Sequence, residues 1–117
     1  GGVHNSAWQN CGVYTTAIAN ENGVHTLEHG AVWITYAPDL PADEVQQLQA
    51  LTRQSGYRLL STYEGLPSPI VATAWGKQLQ LESAQDPRLS QFIEAFELGS
   101  NSPEPGAPCT NGLGVPQ

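Results

Sequence analysis

Two cysteines, Cys11 and Cys109, stand near opposite ends of a 117-residue chain. A bond between them would close a loop of almost the whole domain and bring its two ends together. In the chain-entropy view, closing so long a loop stabilises the fold by about 4–5 kcal/mol. It would also pin Pro103-Glu104-Pro105-Gly106-Ala107-Pro108, a stretch too rich in Pro and Gly to stay ordered without a staple. Such a bridge points to an oxidising compartment. The alternatives are two free thiols in a cytosolic protein, or one cysteine acting as a soft copper ligand.

A chain of this length supports one core, so residues 1–117 read as a single domain. Its 11 acidic and 4 basic residues leave a net charge of -7, with no run of Lys or Arg to follow a phosphate backbone or an anionic bilayer. Nucleic acid and the membrane surface are therefore not expected partners. No apolar stretch reaches the roughly 18 residues a membrane span needs. The chain opens Gly1-Gly2 with neither an initiator Met nor a charged-then-apolar leader. That opening reads as a portion of a longer product, so any membrane tether is expected in a segment outside this sequence.

Three parts are discernible. Residues 1–30 hold every histidine, 31–98 alternate between strand and helix periodicity, and 99–117 are mostly Gly, Pro, Ser and Asn. Ala31-Val32-Trp33-Ile34-Thr35-Tyr36 is β-branched and aromatic and stops before Pro38, which predicts a buried strand. Pro41 opens a helix with Asp43 and Glu44 in its first turn and Val45, Leu48 and Leu51 on one face, ended by Gly56. Strands are expected at Arg58 to Tyr63, at Ile70 to Trp75 and at Gln78 to Glu82, the last two joined by a hairpin at Gly76. Asp86 caps a final helix in which Leu89, Phe92, Ile93 and Phe96 recur at helical spacing, up to Gly99. The expected class is α+β: an antiparallel or mixed sheet of about four strands, two helices packed on one face, and a short N-terminal helical turn.

That turn carries the chemistry. All three histidines lie in the first quarter, two of them in His25-Thr26-Leu27-Glu28-His29-Gly30. On a helix, residues four apart stack about 6 Å apart at Cβ, so His25 and His29 could grip one metal ion, with His4 closing the site from outside. On a strand the same pair would lie about 13 Å apart at about 3.3 Å per residue, too far to share a metal. Asn20-Glu21-Asn22 offers a helix cap and Gly30 a stop, so a short helix over roughly 22–29 is the economical reading. Trp8 and Tyr14 fall in the same irregular stretch and could shield the site from water, whereas Trp33 and Trp75 read as core residues.

The segments Gly-Val-Tyr, Val-His-x-Leu-Glu-His-Gly followed by a hydrophobic strand, Pro-Asp-Leu-Pro-Ala and Thr-Ala-Trp-Gly resemble the bacterial domain-of-unknown-function family 3105 over nearly the whole chain. The resemblance implies a secreted or membrane-tethered protein. It carries shared polar positions onto His4, His25, Glu28 and His29, with Tyr14 and Trp75 as aromatic markers. It implies no activity.

Imidazoles suit Cu(II), Zn, Ni or Co, and the chain has no Met to favour Cu(I). With both cysteines bonded, a blue-copper thiolate is missing, which leaves a three-histidine site. Copper is the expected metal and zinc the alternative, in an extracytoplasmic protein that binds, stores or delivers the ion, with a metal donor or acceptor protein as partner. Two rival readings stand beside this. His25-x-x-Glu28-His29 matches the inverted zinc-protease pattern, with Glu28 as general base of a small hydrolase. Alternatively, the chain is a metal-free interaction module. In the carrier reading Glu28 instead supports a histidine from the second layer around the metal.

Overall fold

The apolar run after Gly30 forms the middle of the sheet. In the computed structural model, which describes residues 7–117, Val32–Tyr36 (β2) is buried at every position. It is flanked on one side by Arg58–Thr62 (β3), parallel, and on the other by Ile70–Ala74 (β4), antiparallel. A parallel neighbour in the same sheet needs a long crossover connection, and the helix Ala42–Thr52 (α2) supplies it between β2 and β3. Gly12–Val13 (β1) and Lys77–Leu81 (β5) complete a mixed sheet in the order β1-β3-β2-β4-β5. Between β4 and β5 the chain reverses at Trp75-Gly76, with Gly76 in the left-handed region at φ +73°.

Side chains of β2 point alternately to two cores. Val32, Ile34 and Tyr36 meet Leu60, Ile70, Ala72 and Leu81, and are covered by Leu48 of α2 and by Leu89, Phe92 and Ile93 of the helix Arg88–Phe96 (α3). Trp33 faces the other way, with Leu59, Tyr14 and Leu27 of the helix Asn20–Glu28 (α1). Covering on both faces explains why β2 reads as a continuous apolar run rather than an alternating one. The edge strand β5, with Lys77, Gln78 and Gln80 exposed, alternates as a half-buried strand should.

The α+β class and a mixed sheet with two helices on one face are present, with two differences in count. There are five strands rather than about four, because β1 is only two residues long and is defined by its pairing with β3. The N-terminal helical turn is a full nine-residue helix, making three helices among the described residues. Several boundaries also move. α2 ends at Thr52 with Arg53 as its C-cap, short of the stop expected at Gly56. Trp75 lies in the hairpin turn, not in a strand. Ala19, not the Asn20–Asn22 segment, is the N-cap of α1, and the Asn22 amide donates to the Ala7 carbonyl at 3.0 Å. Pro87 is the N-cap of α3; the Asp86 carboxylate accepts the Arg88 backbone N–H and its guanidinium, which hold that carboxyl below the usual aspartate range.

Helix α1 sits close on the sheet because of Gly23. A Cβ built there would lie 2.5 Å from the Trp33 ring, inside any normal contact. Alanine is intrinsically the better helix former by about 1 kcal/mol, but overpacking a rigid, buried indole costs about 1–3 kcal/mol. Gly23→Ala is therefore expected to lower the melting temperature and shift Trp33 emission; a raised melting temperature would show that α1 rides more loosely than this.

Candidate metal centre

Helical winding brings the two histidines together. The His25 ring, in the last turn of α1, and the His29 ring, at its C-cap, have centroids 4.7 Å apart and planes at 77°. Trp8 covers both, its ring 5.8 Å from that of His25 and 5.1 Å from that of His29. The strand alternative is excluded, and with it the wide separation that would have forbidden a shared ion.

The carboxylate beside them comes from the far end of the chain. Oε1 of Glu104 lies 3.5 Å from Nε2 of His29, and donor atoms of His25, His29 and Glu104 all lie within 4.8 Å of one another. The tail reaches this position by completing the end of α1. Carbonyls in the last turn of a helix have no partner within it; here Glu104 N–H donates to the Glu28 carbonyl at 2.9 Å and Gly106 N–H to the His29 carbonyl at 3.0 Å. Gly106 takes φ +89°, a backbone state that favours glycine, and Tyr57 donates its hydroxyl to the carbonyls of Gly106 and Ala107. The Cys11–Cys109 disulfide then ties the segment to the N-terminal strand, beside a Cys11 N–H to Cys109 carbonyl bond of 2.9 Å. Beyond it, Leu113 N–H donates to the Trp8 carbonyl, and Trp8 Nε1 donates to the Thr110 carbonyl at 3.0 Å. The tail therefore also holds the indole over the histidines.

One hydrogen bond defines what His29 can do. Its Nδ1 lies 2.7 Å from the Pro108 carbonyl oxygen, which can only accept, so Nδ1 carries the hydrogen. In the neutral ring this leaves Nε2 with a bare lone pair, aimed at a carboxylate that is also an acceptor. Two acceptors set 3.5 Å apart, one of them a carboxylate, make a pair of donor atoms that a metal ion could bridge. Ligating histidines commonly donate the second ring N–H to a carbonyl or carboxylate in this way. The spacing fits as well: two ligand atoms at Zn–N and Zn–O bond lengths, set at a tetrahedral angle, are about 3.4 Å apart. His29 is buried while His25 is half-exposed and the Glu104 side chain is 60% exposed, so one side of the group faces solvent.

Residues 1–111 match the family model described as a protein of unknown function, DUF3105. The chain belongs to that family. No curated protein and no solved structure matches it.

Of the residues expected at the site of this DUF3105 chain, His25 and His29 come together and His4 lies outside the described residues. Glu28 ends α1 next to the group, but what it contributes is its backbone carbonyl; among the described residues its carboxylate bonds to neither imidazole. The Pro108 carbonyl fixes the His29 ring instead. Trp8 sits on the site as expected of a shield, whereas Tyr14 belongs to the sheet core and donates to the Asn10 carbonyl at 2.7 Å, its hydroxyl pushed up by burial. Glu104 escaped the sequence reading because nothing local marks it. The signal available was the cysteine pair, which, if bonded, carries the residues just before Cys109 to the N-terminal segment where the histidines lie.

Proposed function

We propose that this DUF3105 chain holds one transition-metal ion between His25, His29 and Glu104, and serves to bind, store or deliver it outside the cytoplasm. The observation that carries the reading is the orientation of the His29 ring, with Nδ1 against the Pro108 carbonyl at 2.7 Å and Nε2 facing the Glu104 carboxylate at 3.5 Å. Two imidazoles and a carboxylate suit Cu(II) or Zn. Copper is favoured, since Cu(II) heads the affinity order for such ligands, and zinc is the alternative. The disulfide removes both cysteines from the ligand pool, and there is no Met, so a soft Cu(I) environment is lacking. The disulfide supports an extracytoplasmic address, and no helix among the described residues is long and apolar enough to cross a membrane. His4 stands as a candidate additional ligand.

Carriage is favoured over hydrolysis by the surroundings. Enzymes place their reacting groups in a cleft that grips the substrate. The cavity of about 300 Å³ walled by Trp33, Tyr63, Leu27 and Thr35 is bounded by none of the three ligands.

The test is titration of metal-free, tag-free protein with Cu(II) and with Zn(II), read by calorimetry and by Trp8 emission, which bound Cu(II) should quench. One equivalent is expected. Two substitutions then separate the carboxylates. Glu104→Gln is expected to weaken binding by at least the roughly 10–100-fold typical of removing even an outer partner, and Glu28→Gln to change it far less. Equal effects, or a larger one from Glu28, would return the site to the residues of the sequence motif. Hydrolysis of peptides or esters by the wild type, lost in Glu28→Gln with metal content intact, would instead make the protein a hydrolase.

A further inference from the structure

The Cys11–Cys109 bridge is placed where it can control the site. Cys109 follows Pro108, whose carbonyl orients His29, by one residue, and follows Glu104 by five. Residues 103–106 and Pro108 are exposed, so this segment has no apolar anchor of its own. Apart from the bridge and the Cys11–Cys109 backbone bond, it is held by hydrogen bonds alone: from Glu104 and Gly106 to the end of α1, from the Tyr57 hydroxyl, from the His29 ring to the Pro108 carbonyl, and, just beyond Cys109, between residues 110–113 and both Trp8 and Asn10. One covalent bond thus stands behind a ligand and behind the group that orients another. Cys11 is half-exposed, whereas Cys109 is buried.

We propose that the bridge is a redox gate on the metal site: oxidised, the chain holds the ion tightly; reduced, it lets it go. This rests on the metal-binding reading above. The reductant is a dithiol protein or two small thiols. A thiolate attacks one sulfur of the bridge, forming a mixed disulfide and releasing the other cysteine as a thiolate. A second thiol resolves the mixed disulfide, so two cysteine thiols and one external disulfide result, with two electrons and two protons passed to the chain. The freed tail then carries Glu104 and the Pro108 carbonyl away from the histidines. By linkage the gate is reciprocal: whatever factor in affinity oxidation confers, bound metal confers on resistance of the bridge to reduction.

Zinc alone is the probe, because Cu(II) itself oxidises thiols. Its affinity is measured for three tag-free proteins: the oxidised wild type, the Cys11→Ser, Cys109→Ser double variant, and a chain with two glycines inserted between Pro108 and Cys109. The double variant has no thiols to bind zinc on their own. The insertion keeps the bridge but slackens its hold on the Pro108 carbonyl, so it decides the question even where the serine variant fails to fold. Both altered proteins are expected to bind about 10–100-fold more weakly than the wild type, the usual effect of losing an orienting partner. In a glutathione buffer, zinc-loaded wild type should require a potential about 30 mV lower for reduction per tenfold of affinity difference. Wild-type affinity in the insertion variant, or in a folded serine variant, would overturn the gate while leaving the metal site standing. No zinc binding by the oxidised wild type would overturn the site itself and the gate with it.

Discussion

Replacing His25 and His29 together with alanine is expected to leave no measurable copper or zinc binding. In the proposed site each imidazole is an inner ligand, so each loss should exceed the roughly 10–100-fold that removal of outer partners costs, and the two losses compound at one ion. Fold is a separate matter. His25 is half-exposed and its removal should hardly affect stability, whereas His29 is buried and its loss orphans the Pro108 carbonyl. The His25→Ala variant alone is thus the cleaner probe, with circular dichroism confirming that α1 persists. Full-strength binding in the folded double variant would show that the ion, if there is one, is held elsewhere.

Reducing the disulfide is expected to produce the largest change in stability. The bridge joins residues 98 apart in sequence, and in the chain-entropy model a loop of about that length accounts for about 4–5 kcal/mol. At about 4 °C or more per kcal/mol for a domain near this size, the melting temperature should fall by at least about 15 °C. The sheet core, built from residues between Val13 and Phe96, contains neither cysteine, so its helices and strands should re-form on cooling. The loss should instead concentrate in the tail, seen as rapid amide exchange over residues 99–117. A free-thiol assay on denatured, unreduced protein should read near zero; two titratable thiols, or a melting temperature indifferent to reductant, would contradict this account of the bridge.

How much of this was legible in the sequence depended on how local its cause was. β2 and α3 were readable because their own residues dictate them: a β-branched, aromatic run closed by Pro38, and Leu89, Phe92, Ile93 and Phe96 on one helical face. The helical pairing of His25 and His29 was readable for the same reason, with Gly30, at φ +98°, as the stop. β1 was not, since two residues carry no periodicity and the strand exists only because β3 pairs with it. Trp75 misled because its bulk and aromaticity suit a strand, while the φ +73° of Gly76 demands that the chain reverse there. Glu104 was the largest omission. Its approach to His29 is produced by contacts spanning most of the chain, and a Pro-Gly-rich neighbourhood looks the same whether it is a loose tail or a cap on a helix.

The carboxylate next to the histidines in sequence is not the one beside them in space. Glu28 lies one residue before His29, but neighbours on a helix point about 100° apart, whereas residues four apart share a face. The helix that unites His25 with His29 therefore turns Glu28 away, and a residue from the opposite end of the chain takes the place.

In the proposed site the histidine pair and Glu104 hold a metal ion. Elemental analysis of tag-free protein isolated from an oxidising compartment without added metal decides whether they do. One equivalent of copper or zinc per chain, lost in the His25→Ala, His29→Ala double variant, is the expected result. Protein that carries no stoichiometric metal as isolated, and gives a flat titration with both Cu(II) and Zn(II), would contradict it.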